Sequence, residues 1–290
     1  MHARPPSPAA VSPRTSRRRC PACDSQRSPK PARPRLGTTG ELFHFARCGD
    51  CGLMFVTDPM PEQHTLSVST GRPWDPASLP APRFRPGHFY FAAAITTYVR
   101  RAPEPVSLLD VGCGGGELGM LLARANADKL RYVGAEPVPN KAGLARARGI
   151  EVLELTADQV AADPAQAGRW DVVVLDNVLE HLVSPLDAVR GLRGLLKPGG
   201  VFMIAVPNLR DVRRLTQRRF PLWIPNVHIN YFTNRSLRRL CRLAGLTPGY
   251  LHADLRGLPL RARLGWGGKQ LLERLLGLSP RGLYIVARNR

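Results

Sequence analysis

The chain has 290 residues, of which 43% are hydrophobic and 22% charged, so it is long enough to bury a large core. It contains no apolar run of about 18 residues, which argues against a membrane-spanning helix. The net charge of +20 is concentrated at the ends, because residues 1–57 carry +7 and residues 207–290 carry +14, whereas the middle carries −1.

Residues 1–18 are rich in Arg, Ser and Pro, a composition typical of a disordered basic tail. A secretory signal needs an apolar stretch behind its basic residues, and no such stretch follows here. A transit peptide shares the Arg and Ser content, but the prolines disfavour the amphipathic helix that it would form. We therefore expect a cytoplasmic location.

Four of the six cysteines form two C-x-x-C pairs that are separated by 24 residues. Two such pairs can place four thiolates at the corners of a tetrahedron, which is the geometry of structural Zn²⁺ sites. Stable disulfides are not expected without an export signal, and an iron–sulfur cluster is the main alternative. We predict a structural Zn²⁺ ion in a zinc ribbon at residues 19–57. The predicted ligands are Cys20, Cys23, Cys48 and Cys51.

A linker is predicted between the ribbon and the next element. Residues 58–85 are rich in proline and small polar side chains, which indicates a linker or a loop. Apolar side chains at helical spacing then predict a helix over Phe89–Arg101, which Pro103 ends.

Short apolar runs alternate with helical stretches from there on. The runs predict strands at Val106–Val111, Arg131–Glu136, Ile150–Leu155, Trp170–Asp176 and Val201–Val206. The stretches predict helices at Glu117–Asn126, Asn140–Arg148 and Pro185–Leu196, the last ended by Lys197–Gly200. This alternation is typical of a parallel sheet covered by helices on both faces, so the predicted class is a doubly wound α/β fold. Ligands of such folds bind at the carboxyl ends of the strands.

The stretch LLDVGCGGGELG lies at such a strand end. Gly112, Gly114 and Gly116 remove side chains where the chain turns into the next helix, so a ligand can approach the main chain. Dinucleotide-binding turns have the pattern G-x-G-x-x-G, but Glu117 stands at the place of the third glycine, and its charge would repel a diphosphate. A nucleoside joined to an amino acid fits this turn better.

The motifs resemble, in order, those of class I methyltransferases that use S-adenosylmethionine. LLDVGCGGGELG is similar to their first motif, and YVGAEP at 132–137 to the second, where an acid ends the second strand. Later matches are DVVVLDNVLEHLVSP at 171–185, LLKPGGVFMIAVPN at 195–208, HINYFTNRSLRRLCRLAGL at 228–246 and GLYIVARN at 282–289. The resemblance implies a methyltransferase domain at about 86–290, with a Rossmann-like sheet whose last strand is antiparallel.

The resemblance implies which residues hold the cofactor. Glu136 would accept hydrogen bonds from both ribose hydroxyls, since a carboxylate can accept two O–H donors, and Pro137 would lie near the adenine. Asp158 is similar to the acid that holds the adenine amine, although it could instead cap a helix. The implied cofactor-binding residues are Asp110, Gly112, Gly114, Gly116, Glu136, Pro137, Asp158 and Asn177.

The candidate catalytic base is His181, four residues beyond Asn177. Transfer of a methyl group from a sulfonium is an in-line displacement, and a base helps by deprotonating a hydroxyl or carbon acceptor near neutral pH. The Glu-His pair could instead serve packing or cofactor positioning. In some ubiquinone-pathway relatives an acid followed by Glu-His resembles a divalent-metal site, but Asn177 replaces that acid here and is a poorer ligand.

The acceptor side is less defined. Residues 209–227 are basic and end in aromatic residues, and the resemblance implies that they form a lid over the acceptor. Asn208, His228 and Tyr231 are further pocket candidates. Basic residues among aromatics could also bind nucleic acid.

Two functions follow. The first is O- or C-methylation of a small molecule. The alternative is an RNA methyltransferase or a non-catalytic zinc-ribbon protein that binds nucleic acid, which the basic ends would favour. The Asn/Asp-Pro-Pro-Tyr type of sequence used by many enzymes that methylate base amines is absent, which favours the small molecule. The sequence predicts neither the acceptor nor the oligomeric state.

Overall fold

The computed structural model describes residues 19–37, 40–59, 74–75, 77–126, 128–211, 224–251, 254, 264–265, 267–268, 271 and 282–289. Three predicted segments lie partly or wholly outside these residues: the tail at 1–18, the middle of the linker at 60–73 and residues 212–223 of the lid. Within the described residues, no helix combines the length and the apolar character that a membrane span needs.

The elements follow one another in the predicted alternation. The strands are β1 Lys30–Leu36, β2 Leu42–Arg47, β3 Met54–Val56, β4 Val106–Val111, β5 Leu130–Ala135, β6 Glu151–Leu153, β7 Trp170–Asp176, β8 Leu196–Val206, β9 Asn230–Tyr231, β10 Leu246–Tyr250 and β11 Leu283–Asn289. The helices are α1 Pro86–Arg101, α2 Glu117–Asn126, α3 Pro139–Ala147, α4 Ala157–Ala162, α5 Pro185–Arg193 and α6 Asn234–Leu243.

A seven-stranded sheet forms the centre, with the strand order β10-β11-β8-β7-β4-β5-β6. The strands β4 to β8 run parallel, and β11 is antiparallel to both β8 and β10. The predicted doubly wound α/β fold with an antiparallel last strand is confirmed. The chain proceeds from β4 to one edge and then returns to β7 beside β4, so strand order reverses between these two strands, where ligands bind in such folds.

Both faces of this sheet are buried. Successive strand residues point to opposite faces, so Leu108 and Leu109 of β4 are both fully buried yet lie in different apolar layers. One layer includes Phe91 of α1 and Leu122 of α2, and the other includes Leu192 of α5. Burial on two sides explains why the strands are continuous apolar runs in the sequence.

A second, four-stranded sheet lies next to the cysteine pairs, which are outside its strands, and has the order β1-β2-β3-β9. Its first three strands come from residues 30–56, but β9 comes from residues 230–231. The antiparallel pair β3–β9 joins Met54 to Tyr231 and Phe55 to Asn230. The N-terminal ribbon sheet is therefore completed by a strand that lies about 175 residues later in the chain. This pairing was not predicted from the sequence.

Several predicted boundaries differ from the structure, and the differences at two helices and at β8 are among the largest. The helix predicted at Pro185–Leu196 ends at Arg193, and Lys197–Gly200, predicted as a helix stop, lies inside β8. Gly200 has backbone oxygens of Lys197 and Trp170 within 3.1 Å of where a Cβ would be, so the glycine permits a close backbone approach at a register shift between β7 and β8. Helix α1 begins at Pro86 rather than Phe89, because proline suits the first turn of a helix.

Candidate functional site

The glycine turn joins β4 to α2 at the carboxyl edge of the sheet. Gly112, Gly114 and Gly116 have φ angles of +79°, +58° and +82°, which are left-handed conformations that favour glycine. A Cβ at Gly112 would lie 2.7 Å from Val178, and one at Gly116 would lie 3.0 Å from Ile150, whereas one at Gly114 would meet nothing within 4 Å. Gly112 and Gly116 thus allow tight packing, and Gly114 leaves its main chain open to a ligand.

Glu136 lies directly against this turn. It follows β5, is 5% exposed, and its Oε2 accepts a hydrogen bond from the Gly114 N–H at 3.0 Å. Its Oε1 accepts from the Val138 N–H at 3.0 Å, and Pro137 between them is half-buried. The structure therefore brings together the turn and the acid that the sequence predicts beside it.

Asp110 is buried at the end of β4, where it is 2% exposed. Its Oδ2 accepts a hydrogen bond from the Tyr132 hydroxyl at 2.5 Å, and its Oδ1 has no hydrogen-bond partner among the described residues. Burial raises the pKa of Asp110 to about 7, although the bond from Tyr132 opposes the shift. Asp110 therefore retains a buried acceptor oxygen at the end of β4 and can hold a proton near neutral pH.

Asp158 and Asn177 differ in their surroundings. Asp158 is exposed in the first turn of α4, and the capping alternative is wrong, because Thr156 is the N-cap that accepts from the Gln159 N–H. Asn177 has a φ of +58° and turns the chain at the end of β7, where its Nδ2 donates to Asp176 Oδ1 at 2.6 Å. Their roles in cofactor binding stay predictions.

Sequence reasoning missed a charged cluster at the end of β7. The Asp176 Oδ2 lies 3.2 Å from Arg85 Nη2 and 3.5 Å from His88 Nε2. Burial, followed by the Arg85 charge, lowers the pKa of His88. The position of Asp176 at a strand end could have indicated a site residue. Its partners lie 91 and 88 residues earlier, Arg85 in the predicted linker and His88 just before the predicted helix. Acids thus stand at three neighbouring strand ends, those of β4, β5 and β7.

Arg148 joins the linker to the glycine turn. Its side chain is 5% exposed, and Nη1 donates to the Gly115 carbonyl at 2.6 Å and to Glu117 Oε1 at 2.9 Å. Its Nη2 donates to the Pro80 carbonyl at 2.9 Å. Because Arg148 neutralises Glu117, the prediction that this acid repels a diphosphate loses its electrostatic basis, and only the missing third glycine still argues against a dinucleotide.

His181 lies on the turn that follows β7, within a cluster of titratable side chains. Its Nδ1 donates to the Val227 carbonyl at 2.9 Å, so Nε2 is the nitrogen that carries the lone pair. The ring centroids of His181 and His228 are 4.9 Å apart in an edge-to-face arrangement. The structure therefore joins the predicted catalytic residue to one of the predicted pocket residues.

Glu180 completes this cluster and is fully buried. Neither of its carboxylate oxygens has a hydrogen-bond partner among the described residues, and Oε1 lies 3.9 Å from His181 Nε2. Burial, with a smaller contribution from the charge of Asp176, raises the pKa of Glu180 to about 8. A donor atom from each of Glu180, His181 and His228 lies within 4.8 Å of the others.

The other two pocket candidates have contacts within the fold. Asn208 is 1% exposed and its Oδ1 accepts from the Arg210 N–H at 3.0 Å. Tyr231 lies in β9, opposite Met54 of β3, with its ring edge-to-face against Phe45. The roles of both residues at the site therefore stay predictions.

The four N-terminal cysteines form a closed, buried group. Cys20 Sγ lies 3.6 Å from Cys51 Sγ, and Cys23 Sγ lies 3.6 Å from Cys48 Sγ. Zinc–sulfur bonds of about 2.3 Å at tetrahedral angles place sulfurs about 3.8 Å apart, whereas a disulfide requires about 2.05 Å. An iron–sulfur cluster of several irons would separate the thiolates further, because they bind different irons. The donor set therefore fits a single tetrahedral ion.

The chain is similar in sequence to known methyltransferases. Residues 83–249 match the family described as "Methyltransferase domain". The ubiquinone biosynthesis O-methyltransferase of Cereibacter sphaeroides is 37% identical over 162 residues, which cover 51% of this chain and 64% of that relative. A protein of the same description from Bordetella avium is 31% identical over 217 residues, 68% of this chain and 83% of the relative. The chain spans about half to two thirds of the length of several other relatives of this description.

A solved structure has a similar fold. The plantazolicin methyltransferase BpumL in complex with SAH superposes with a TM-score of 0.50 and is 17% identical, covering 71% of this chain and 85% of that chain. At this identity the likeness concerns the fold alone. The family match begins at residue 83 and leaves the cysteine-containing ribbon outside it.

Proposed function

Because the chain belongs to the methyltransferase domain family, we propose that it transfers a methyl group from S-adenosylmethionine to a hydroxyl group of a small molecule. The family resemblance read from the sequence is confirmed by this membership. The single observation that carries the proposed activity is the juxtaposition of the open main chain at Gly114 with the Glu136 carboxylate.

The residues at the carboxyl edge fit an adenosyl cofactor. Glu136 would accept from the ribose hydroxyls, and the absence of a side chain at Gly114 would admit the ligand next to the main chain. Asp110 Oδ1 is a buried acceptor that lacks a partner among the described residues, and a donor on the ligand would satisfy it. When bound, S-adenosylmethionine would supply an electrophilic methyl group on a sulfonium.

His181 is the proposed base for the acceptor hydroxyl. The Val227 carbonyl fixes the proton on Nδ1, which leaves the lone pair on Nε2 to take the proton of the acceptor. Histidine is a strong enough base for a hydroxyl near neutral pH but a weak one for most carbon acids, so O-methylation is the better match. The names of the O-methyltransferase relatives support the same choice.

Zinc is the proposed metal of the cysteine site. The four buried sulfurs leave no open coordination position, so the ion would be structural and would take no part in methyl transfer. A site of this kind stabilises a fragment that has too little apolar core to fold alone. Metal analysis of the purified chain should find about one zinc per chain.

Isothermal titration calorimetry tests the cofactor proposal. S-adenosylhomocysteine should bind the full chain, whereas NAD and ATP should not. Replacing Glu136 by Gln removes one negative charge from the proposed cofactor site and should weaken binding about 10- to 100-fold. Glu154→Gln is the matched control, because Glu154 pairs with Arg146 at the protein surface. Wild-type affinity in Glu136→Gln, or tighter binding of NAD, would contradict the proposal.

Nucleic acid remains the second candidate ligand because of one groove. A cavity of about 530 Å³ beside the cysteine turns is lined by Lys30, Arg47, Arg210 and Arg235, and none of these cations forms an ion pair with a described carboxylate. A zinc ion with four thiolates carries a charge of −2, however, which the same cations would offset. RNA binding that weakens steeply with salt, and is lost in Arg47→Ala with Arg235→Ala, would favour this function.

A further inference from the structure

The strand that completes the ribbon sheet also adjoins the proposed catalytic turn. On one side, β9 pairs with β3, and the Val56 N–H donates to the Ile229 carbonyl at 3.0 Å. β3 begins three residues after Cys51, and β9 begins two residues after His228. The short strands β3 and β9 thus connect Cys51 to the cluster that contains His181 and His228.

On its other side, this segment holds the turn that carries His181. The N–H groups of Ile229 and Asn230 donate to the Glu180 carbonyl at 2.9 and 3.0 Å. The Asn230 side chain is buried, and its Nδ2 donates to the carbonyls of Leu179 and Leu182 at 3.1 and 2.7 Å. Four hydrogen bonds from two residues therefore fix three carbonyls of this one turn.

Packing reinforces the same connection. Cys51, Leu53 and Phe55 belong to one buried apolar cluster with Leu179 of the turn and Phe232 beyond β9. On the opposite face of the ribbon sheet a separate cluster contains Phe45, Val56, Ile229 and Tyr231. The ribbon and the turn therefore share a core on one face of β9, and the ribbon packs against the segment of β9 itself on the other.

The proposed cofactor site at Gly114, Glu136 and Asp110 differs in its hydrogen bonds, although Val111 and Ala135 beside it belong to the same apolar cluster as Cys51 and Phe55. Glu136 bonds to Gly114 and Val138, and Asp110 bonds to Tyr132, so these bonds lie between β4, β5 and the turns that follow them. The ribbon strands take no part in them. Loss of the ribbon metal should therefore disturb the turn that carries His181 more than the proposed cofactor site.

We infer that the metal of the ribbon holds His181 in place through β3 and β9, with Asn230 as the positioning residue. The inference deepens the proposed function, because it concerns the acceptor half of the same site. It predicts that disturbing the ribbon or Asn230 displaces the His181 ring and leaves S-adenosylhomocysteine binding in place.

The first test replaces Asn230 by Ala and observes the ring nitrogens of His181 by NMR, with the His181→Gln variant providing the assignment. In the wild type, His181 should be the Nδ1–H tautomer, since Nδ1 donates to Val227. Asn230→Ala should change this to the tautomer mixture of a free histidine, while zinc content and the Kd for S-adenosylhomocysteine stay within about twofold.

The matched control is Asn126→Ala. Asn126 is also buried, and its Nδ2 also makes two hydrogen bonds, to the Leu122 carbonyl and the Thr96 hydroxyl, but it lies at the end of α2. This variant should lose comparable stability without changing the His181 signals. Unchanged His181 signals in Asn230→Ala, or equal changes in both variants, would overturn the inference.

The second test removes the metal from the full chain with a chelator and returns it. The His181 signals should change on removal and recover with added Zn²⁺, and the Kd for S-adenosylhomocysteine should change by less than about threefold. If the metal-free chain loses ligand binding as well, the metal supports the whole fold and the selective inference is wrong. If the zinc-loaded wild type does not bind S-adenosylhomocysteine at all, the proposed function is wrong. The NMR comparison then still decides whether the ribbon metal holds the His181 ring in place.

Discussion

The two halves of the candidate site are built in different ways. The cofactor half comes from one short part of the chain, residues 110–138, and follows from two adjacent parallel strands and their turns. The acceptor half combines the turn at 178–182, the segment 227–230 and, behind them, a ribbon from residues 20–56. The first half is therefore local in sequence, and the second depends on contacts between distant segments.

The largest expected effect follows from removing one metal ligand. Cys48→Ser should abolish zinc binding and lower the unfolding free energy by several kcal/mol, because the ribbon has little core of its own. Cys241→Ser is the control, since Cys241 is equally buried but lies in α6 outside the cysteine cluster. Metal analysis and thermal unfolding measure the two effects. Equal losses in both variants would remove the distinction between a metal ligand and an ordinary core cysteine.

A bulky side chain at Gly114 should break the cofactor half alone. Gly114→Leu should weaken S-adenosylhomocysteine binding more than about 100-fold, because the side chain would fill the proposed seat. Gly149→Leu is matched, since Gly149 also has a positive φ, +83°, and open space at its Cβ position. Both variants should lose about 1–2 kcal/mol of stability from the left-handed conformation. Titration calorimetry that finds equal binding in both would place the ligand elsewhere.

Two buried acids, one in each half of the site, should each lower the unfolding free energy as pH rises. Asp110 and Glu180 have pKa values raised to about 7 and about 8 by burial, so the folded chain retains protons that the unfolded chain releases from about pH 4 upward. The contribution of each proton is complete below about pH 4 and is lost by about pH 7 for Asp110 and by about pH 8 for Glu180. Together they should account for several kcal/mol.

Isosteric amides separate these two contributions. Asp110→Asn and Glu180→Gln should each flatten the decline in unfolding free energy between pH 5 and 8, by about 3 kcal/mol and about 4 kcal/mol respectively. Asp158→Asn, at an exposed position, should leave the profile unchanged. Chemical denaturation at several pH values measures the profile. Identical pH profiles in the wild type and both amide variants would contradict the assignment of raised pKa values.

The smallest expected difference concerns two neighbouring arginines. Arg148→Lys should cost about 1–2 kcal/mol, because lysine cannot reproduce the forked contacts to Gly115, Glu117 and Pro80. Arg146→Lys should cost less than about 0.5 kcal/mol, because Arg146 pairs with Glu154 at the surface. Denaturant unfolding measures the difference. Similar losses in both variants would show that the contacts of Arg148 contribute no more stability than a surface ion pair.

The juxtaposition of the glycine turn and Glu136 could be predicted from the sequence for a simple reason. Continuous apolar runs indicate parallel strands, and the carboxyl ends of adjacent parallel strands must lie together, so Gly114 and Glu136 could be placed side by side. The same reasoning missed Arg85 and His88, because contacts to Asp176 across about 90 residues leave no local pattern.

The amino-acid sequence by itself determined the α/β class, the glycine turn with its neighbouring acid and the two cysteine pairs, since each depends on periodicity or on fixed spacing along the chain. Only the tertiary structure decided that β9 completes the ribbon sheet and that Asn230 holds the turn of His181. A two-residue strand has no detectable period, and its partners lie 175 residues earlier and about 50 residues earlier in the chain. Such contacts arise when the two sheets pack together, so they are properties of the folded chain.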